Sequence, residues 1–316
     1  MAAAPATGAL RCLAITGPTA SGKTELALAL AREFPLEIVS MDSAMVYRGM
    51  DIGTAKPDRA VRDEVPHHLI DILDPEAAYS AGRFANDATR LVAEIASRGN
   101  LPLLVGGTML YLKALREGIA PLPERDPGIR ARIDARAAEE GWAALHAELA
   151  TIDPEAAARI EPTDRQRIQR ALEVHAITGR PLSRLQQTGS AAPVTVEGFA
   201  LMPRDREALK ATIERRFEAM VERGLIEEVR RLRERPGLTA SSASMRAVGY
   251  RQVWACLDGR WEWPEAARRA IFATRQLAKR QLTWLRSDRR TEPLDAEDPA
   301  LADRLKRQIH RLVDSA

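Results

Sequence analysis

The stretch Gly17-Pro18-Thr19-Ala20-Ser21-Gly22-Lys23-Thr24 constrains this chain more than any other, because it fits G-x-x-x-x-G-K-[ST] in suitable surroundings. The apolar run Cys12-Leu13-Ala14-Ile15 ahead of it reads as a strand, and residues 25–31 behind it are strong helix formers. Strand, glycine loop and helix in that order build a phosphate cradle. Glycines let successive backbone N–H groups turn onto an anion, and the helix N-terminus adds the positive end of its dipole. Lys23 supplies a point charge for phosphate oxygens, and the Thr24 hydroxyl can ligate magnesium. With glycine at about 7% of residues, the bare pattern arises by chance in roughly one chain in a hundred of this length. The flanking strand and helix therefore carry the inference. All eight residues are candidate diphosphate- or nucleotide-binding residues, and the loop does not say whose phosphates it holds.

A length of 316 residues points to two domains, or to one domain with a large insertion. Net charge is +3 and the pI about 9.0, a weak basic bias that does not by itself demand nucleic acid. Cys12 and Cys256 are the only cysteines, too few for a disulfide framework or a cysteine metal site, which fits a reducing cytosol. The N-terminal residues lack a basic region followed by an apolar run, so no signal peptide is expected. No apolar stretch approaches the ~18 residues that a membrane span needs. A cytoplasmic location is expected.

Residues 36–40 form a second strand candidate that runs into Asp42 and Ser43. Ligands of doubly wound sheets sit at the carboxyl ends of strands, which brings Asp42 near the phosphate loop. An ordinary turn or helix cap is an equally good reading of Asp42. Residues 48–57, with two glycines and a proline, read as a long loop able to wall a binding site. His67 and His68 are adjacent on a strand and point to opposite faces, so no metal site is read there. Residues 69–73 are the third strand candidate, residues 80–97 an amphipathic helix, and residues 101–105 a buried parallel strand. That last strand ends in Gly106-Gly107-Thr108 and carries no acid, so the usual place for a magnesium-holding Walker B residue is vacant of one.

From 122 to 193 strand signals vanish and arginines crowd in among helix formers. Thr163 and Asp164 can cap a helix there that carries Gln166, Arg167 and Arg170. A solvated helix face is the better reading of any single arginine, whereas the cluster suits a phosphate backbone. Residues 194–201 return to strand character, and residues 207–223 form an amphipathic helix with Gly224 as its C-terminal cap. On the helix 264–286, Arg268, Arg275, Lys279 and Arg286 fall within about 20° of one line, an unbroken row of positive charge that suggests a polyanion. The expected fold class is α/β: a P-loop NTPase-like parallel sheet flanked by helices (1–121 plus 194–316), with an inserted all-helical, Arg-rich domain (122–193).

Several motifs beyond the loop now converge. Residues 42–57, Pro66-His67-His68-Leu69, Gly106-Gly107-Thr108-Met109-Leu110-Tyr111, Asp164-Arg165-Gln166-Arg167, Val248-Gly249-Tyr250-Arg251 and residues 273–281 resemble the tRNA dimethylallyltransferase (tRNA isopentenyltransferase) family. The likeness spans roughly residues 10–290 in order, with Met45 standing where many members carry Gln. The resemblance implies transfer of a dimethylallyl group from dimethylallyl diphosphate to the N6 amine of the adenosine 3′ to the tRNA anticodon. It implies that Thr108 and Arg216 face the diphosphate, with magnesium at Thr24. It implies tRNA contacts at Asp42, Ser43, Ala44, Met45, Thr108, Arg130, Gln166, Arg167, Ile168, Gln169, Arg170, Arg246, Arg251, Arg275 and Lys279. A carboxylate such as Asp42 suits the chemistry independently, since an adenine amine is a poor nucleophile and must lose a proton. The expected partners are the anticodon stem-loop and the prenyl donor, with no membrane, for a monomeric enzyme. A P-loop nucleoside or small-molecule kinase shares the loop and the fold. A non-enzymatic RNA-binding protein is disfavoured by the intact Lys23, Thr24 and Asp42.

Overall fold

The computed structural model describes residues 10–118, 120, 122–187 and 194–313. Its chain order begins β1 (Leu10–Thr16), α1 (Lys23–Glu33), β2 (Leu36–Met41), α2 (Arg59–Glu64), β3 (His67–His68), α3 (Ala81–Ser97), β4 (Leu101–Gly106) and α4 (Met109–Glu117). Five helices follow: α5 (Pro127–Glu140), α6 (Trp142–Ile152), α7 (Pro154–Arg159), α8 (Arg165–Thr178) and α9 (Leu182–Gln187). The chain then runs through β5 (Val194–Met202), α10 (Arg206–Glu222), α11 (Leu225–Arg233), a 3-10 turn (Ser244–Arg246), α12 (Tyr250–Leu257), α13 (Trp263–Ser287), β6 (Thr291–Asp295) and α14 (Leu301–Val313). Contacts divide the chain into two units, Met1–Arg116 with Pro193–Ala316, and Glu117–Ala192.

In the first unit the described strands form one six-stranded sheet in the order β3-β2-β4-β1-β5-β6, every neighbouring pair parallel. Both faces are covered, which explains why β2 is buried along its whole length and reads as a near-continuous apolar run. The period-2 alternation assigns the faces. Leu13, Ile15, Ile38 and Leu103 pack with Leu30 of α1 and Leu305 of α14. Ala14, Val39, Met41 and Leu104 pack with Phe84 and Val92 of α3. A further apolar cluster joins Met50, Phe217, Val229, Tyr250 and Trp254 from the loop after β2 and from α10, α11 and α12. The α/β class and the flanked parallel sheet are as the sequence reading expects. No helix among the described residues is long and apolar enough to cross a membrane.

One local expectation is corrected. The third strand is only His67–His68, and the expected run 69–73 is a loop in which Leu69 and Asp71 have φ of 62° and 54°. A strand cannot continue through left-handed residues, and Asp71 is held there by Lys56 Nζ at 2.6 Å and Arg62 Nη1 at 2.7 Å. Gly224 is as expected the left-handed glycine that closes α10, following its C-cap Arg223 with φ 99°, and it is at the same time the N-cap of α11. Strand β6 gives little sequence signal because Thr291–Asp295 contains two acids and a proline, which an edge position tolerates.

The second unit is helical. Its core is Leu145, Leu149, Ile168, Leu172 and Val174, drawn from α6 and α8. The cap of α8 is the one expected, since Asp164 Oδ1 accepts from Arg167 N at 3.1 Å.

Candidate active site

The phosphate loop joins β1 to α1. Gly22 caps α1 with φ 81° and Ala20 also lies in the left-handed region at φ 64°, so the loop backbone coils around its own centre. Gly17 is packed too tightly for a side chain: a Cβ there would stand 2.7 Å from Ser21 Oγ and 2.9 Å from Leu201 O.

Sheet register brings the second half of the site to the loop. Gly106 at the end of β4 pairs with Thr16 of β1 on one side and Met41 of β2 on the other. A Cβ on Gly106 would fall 2.1 Å from the Met41 carbonyl oxygen, so glycine is what permits β2 and β4 to end together. Thr108 N donates to that carbonyl at 3.2 Å, and Thr108 Oγ1 accepts from Ser43 N at 3.1 Å. Asp42 Oδ1 accepts from Ala44 N at 2.8 Å and Met45 N at 3.3 Å, which fixes its carboxylate. Asp42 thus acts as a turn residue through its own stretch of backbone, and its position also lies on the cavity wall.

Helices α10 and α13 supply the opposite wall. Gln281 Oε1 accepts from Thr19 N at 2.9 Å, while its Nε2 donates to Gly107 O at 2.8 Å. One amide thus ties the phosphate loop to the β4 end. Arg216 of α10 lies close enough to Lys23 for their charges to repel. Burial, then the Arg216 charge, pulls Lys23 down to about 8, with Asp42 and Glu25 opposing. Burial lowers Arg216 as well, and Glu25 and Asp42 again oppose. Lys23 Nζ donates to Pro18 O at 2.6 Å.

These groups line one cavity of about 690 Å³. Its walls include Thr19, Ala20, Lys23 and Thr24 of the loop, Asp42 to Met45, Thr108, Arg216, Arg246, Tyr250, Arg280 and Gln281. The remaining loop residues Gly17, Pro18, Ser21 and Gly22 are not among the lining residues. A further wall, residues 53–57, is braced by a buried carboxylate on α11. Glu228 Oε2 accepts from Asp51 N and Ile52 N at 2.9 and 2.8 Å, and Oε1 accepts from Gly53 N at 3.1 Å and from the Tyr250 hydroxyl at 2.5 Å. His67 faces this cavity and His68 meets Glu37 at 2.7 Å, so the pair splits between two faces as a strand requires.

Other sequence candidates lie elsewhere. Arg251 and Lys279 are exposed and outside the cavity lining. The row on α13 is broken, because Arg268 pairs with Glu265 at 2.5 Å and Arg275 with Glu214 at 2.8 Å. The buried positions in its N-terminal half are Ala266 and Ala270. In the helical unit Gln166 and Arg167 are exposed, the latter 3.3 Å from Asp164. Arg130 and Arg170 both bind the fully buried Glu173, at 3.1 and 2.8 Å, and Gln169 donates to Asp134 at 2.6 Å. Ile168 is core, so its side chain packs α8 and offers no surface. Glu228, Arg280 and the bridging role of Gln281 escape sequence reasoning. Gln281 lies within a recognisable motif, whereas Glu228 sits in an Arg/Glu run that looks solvated.

The chain is similar to known proteins in both sequence and fold. A family model described as IPP transferase matches residues 45–288, and a second, Isopentenyl transferase, matches residues 10–73. The chain is similar to a tRNA dimethylallyltransferase of Leptothrix cholodnii, 57% identical over 306 residues covering 94% of this chain and 93% of that protein. It is 52% identical over 323 residues to one of Ralstonia nicotianae, with 100% of both chains covered. The solved full-length tRNA isopentenylpyrophosphate transferase of Bacillus halodurans is 37% identical, with a TM-score of 0.71 and 97% of each chain covered.

Proposed function

The chain belongs to the IPP transferase family, and on that premise we propose that it moves a dimethylallyl group from dimethylallyl diphosphate to the N6 amine of the adenosine 3′ to a tRNA anticodon, releasing diphosphate. The observation that carries the reading is the convergence of Lys23, Arg216 and Asp42 on one cavity, two cations for a leaving group and one carboxylate for a nucleophile. As the carbon–oxygen bond of the donor breaks, negative charge grows on the diphosphate. Lys23, Arg216 and the loop N–H groups meet that charge in a half-buried setting, where such contacts count for more than in water. Thr108 accepts from Ser43 N and keeps its own hydroxyl proton for an oxygen of the substrate. Asp42, oriented by Ala44 and Met45, accepts the proton that the amine must shed when its nitrogen bonds to carbon.

Magnesium fits this site through few protein ligands. No group of three or more His, Cys, Asp or Glu able to hold a metal occurs among the described residues, while the Thr24 hydroxyl lies on the cavity wall. A single hydroxyl suits an ion that keeps several waters and takes phosphate oxygens. Bound there, it supplies further positive charge to the diphosphate. The adenosine has to leave its stack to reach the cavity. In the sheet unit Arg246 and Arg280 at the cavity are our candidates for contact with the RNA, and in the helical unit the exposed Gln166 and Arg167. We further propose that the enzyme acts as a monomer, in the cytoplasm.

The test is incorporation of labelled prenyl donor into unmodified tRNA, run beside AMP as acceptor and beside phosphate transfer from labelled ATP. Label in tRNA alone is the expected result. Phosphate transfer to a nucleoside without prenyl incorporation would establish the kinase reading instead.

A further inference from the structure

Helix α13 divides along its length into a compensated half and an uncompensated half. Arg268 and Arg269 pair with Glu265, and Arg275 pairs with Glu214. Lys279, Arg280 and Arg286 form no ion pair among the described residues. At ~100° per residue, Phe272, Gln276, Lys279, Thr283 and Arg286 fall within about 40° of one line. Four of these five are exposed, and none is acidic. Phe272 begins the line with 63% of its surface open; the other exposed large hydrophobics among the described residues are Leu110 at 61% and Ile177 at 38%. A lone exposed aromatic needs no explanation. One that heads an unpaired cationic line does, because cations and aromatic faces together suit single-stranded nucleic acid. None of the five lines the cavity, but Arg280 does, about 80° round the helix from Phe272 and one residue beyond Lys279.

Resting on the prenyl-transfer reading above, we propose that Phe272 is a stacking platform for an unpaired base of the RNA substrate, outside the cavity that receives the target adenosine. Eight residues separate Phe272 from Arg280, about 12 Å along the helix axis. At ~3.4 Å per stacked nucleotide, that axial distance alone puts the base on Phe272 at least three to four nucleotides from the one held at the cavity. Uncompensated charge on Lys279 and Arg286 attracts the intervening phosphates. The ring then supplies contact that charge cannot, and that salt does not screen.

The experiment uses the full chain and a stem-loop RNA carrying the target adenosine, with 2-aminopurine placed three or four nucleotides from it. Binding to the unaltered protein is expected to quench the fluorophore, and Phe272→Ala to abolish that quenching. Stacking on an aromatic side chain contributes about 1–3 kcal/mol per base, so Phe272→Ala lowers RNA affinity by about 5- to 150-fold. The slope of log affinity against log salt is expected to stay unchanged, whereas Lys279→Gln lowers it by roughly 0.7 to 0.9. Phe272→Trp is expected to keep affinity and Phe272→Leu to lose it. Affinity retained in Phe272→Ala, or restored as well by Leu as by Trp, overturns the proposal. So does self-association of the unaltered protein that Phe272→Ala abolishes without changing RNA affinity. Prenyl transfer by the unaltered protein is measured in the same series. If that protein neither binds nor prenylates RNA, the substrate reading fails first; if it does both, equal behaviour of Phe272→Ala removes only the platform.

Discussion

Glu228→Gln isolates the brace behind the cavity wall, and its cost follows from counting donors. The carboxylate accepts four hydrogen bonds, three from the backbone N–H groups of Asp51, Ile52 and Gly53 and one from the Tyr250 hydroxyl. An amide has one acceptor oxygen. Its least costly orientation keeps that oxygen on Asp51 and Ile52 and turns the NH₂ toward Gly53 and Tyr250. The tyrosine hydroxyl can reverse and accept, but Gly53 N–H then faces a donor. One buried N–H without a partner costs about 1–3 kcal/mol. Relief by movement is hindered, because Gly53 is so close to the Tyr250 ring that a Cβ there would stand 2.5 Å from it. At roughly 2–4 °C per kcal/mol for a domain of this size, the melting temperature falls by about 2–12 °C. Residues 53, 54 and 57 wall the cavity without carrying a reacting group, so KM is expected to rise more than kcat falls. Urea unfolding and steady-state prenyl transfer measure the two effects. A double-mutant cycle with Tyr250→Phe adds a control, since partners in one network couple by about 0.5–3 kcal/mol. Glu228→Gln with stability within about 0.3 kcal/mol of the unaltered protein and an unchanged KM would falsify the brace.

Three further outcomes are expected. Asp42→Asn slows single-turnover transfer by about 10²- to 10⁴-fold while donor and RNA affinities shift much less; rescue by excess magnesium would assign Asp42 to the metal instead. Lys23 is held at about 8 by burial and by Arg216, so its ammonium is charged below that pH and lost from the free protein above it. Anion binding must then take up a proton, and affinity for inorganic diphosphate drops by up to tenfold per pH unit above about pH 8; calorimetry giving a flat profile from pH 7 to 9.5 counts against it. Arg170→Gln destabilises the helical unit by about 1–3 kcal/mol, because the buried Glu173 loses a charged partner, whereas Arg167→Gln on the exposed face leaves unfolding unchanged and lowers only the salt slope of RNA binding by roughly 0.7 to 0.9.

The phosphate cradle was legible in the chain because everything it needs is contiguous. Strand, turn and helix follow one another between Leu10 and Glu33, and the pattern of glycines dictates a local backbone shape. The ends of β2 and β4 were legible for a related reason: in a parallel sheet with both faces covered, strands announce themselves as apolar runs, and their carboxyl ends must meet. Asp42 and Thr108 could be placed from that rule alone. Charge resisted the same treatment. Arginines look alike along a sequence, and only packing separates Arg170, spent on Glu173, from Arg167, left at the surface. The helix row failed likewise, since the acids that neutralise Arg268 and Arg275 come from a neighbouring turn and from another helix. Left-handed residues in 69–73 ended a strand that hydrophobicity promised, because Lys56 and Arg62 hold Asp71. Gln281 and Glu228 belong wholly to the tertiary structure. Their partners lie 262 and up to 177 residues away, and no local pattern records a hydrogen bond that exists only after the chain has closed on itself.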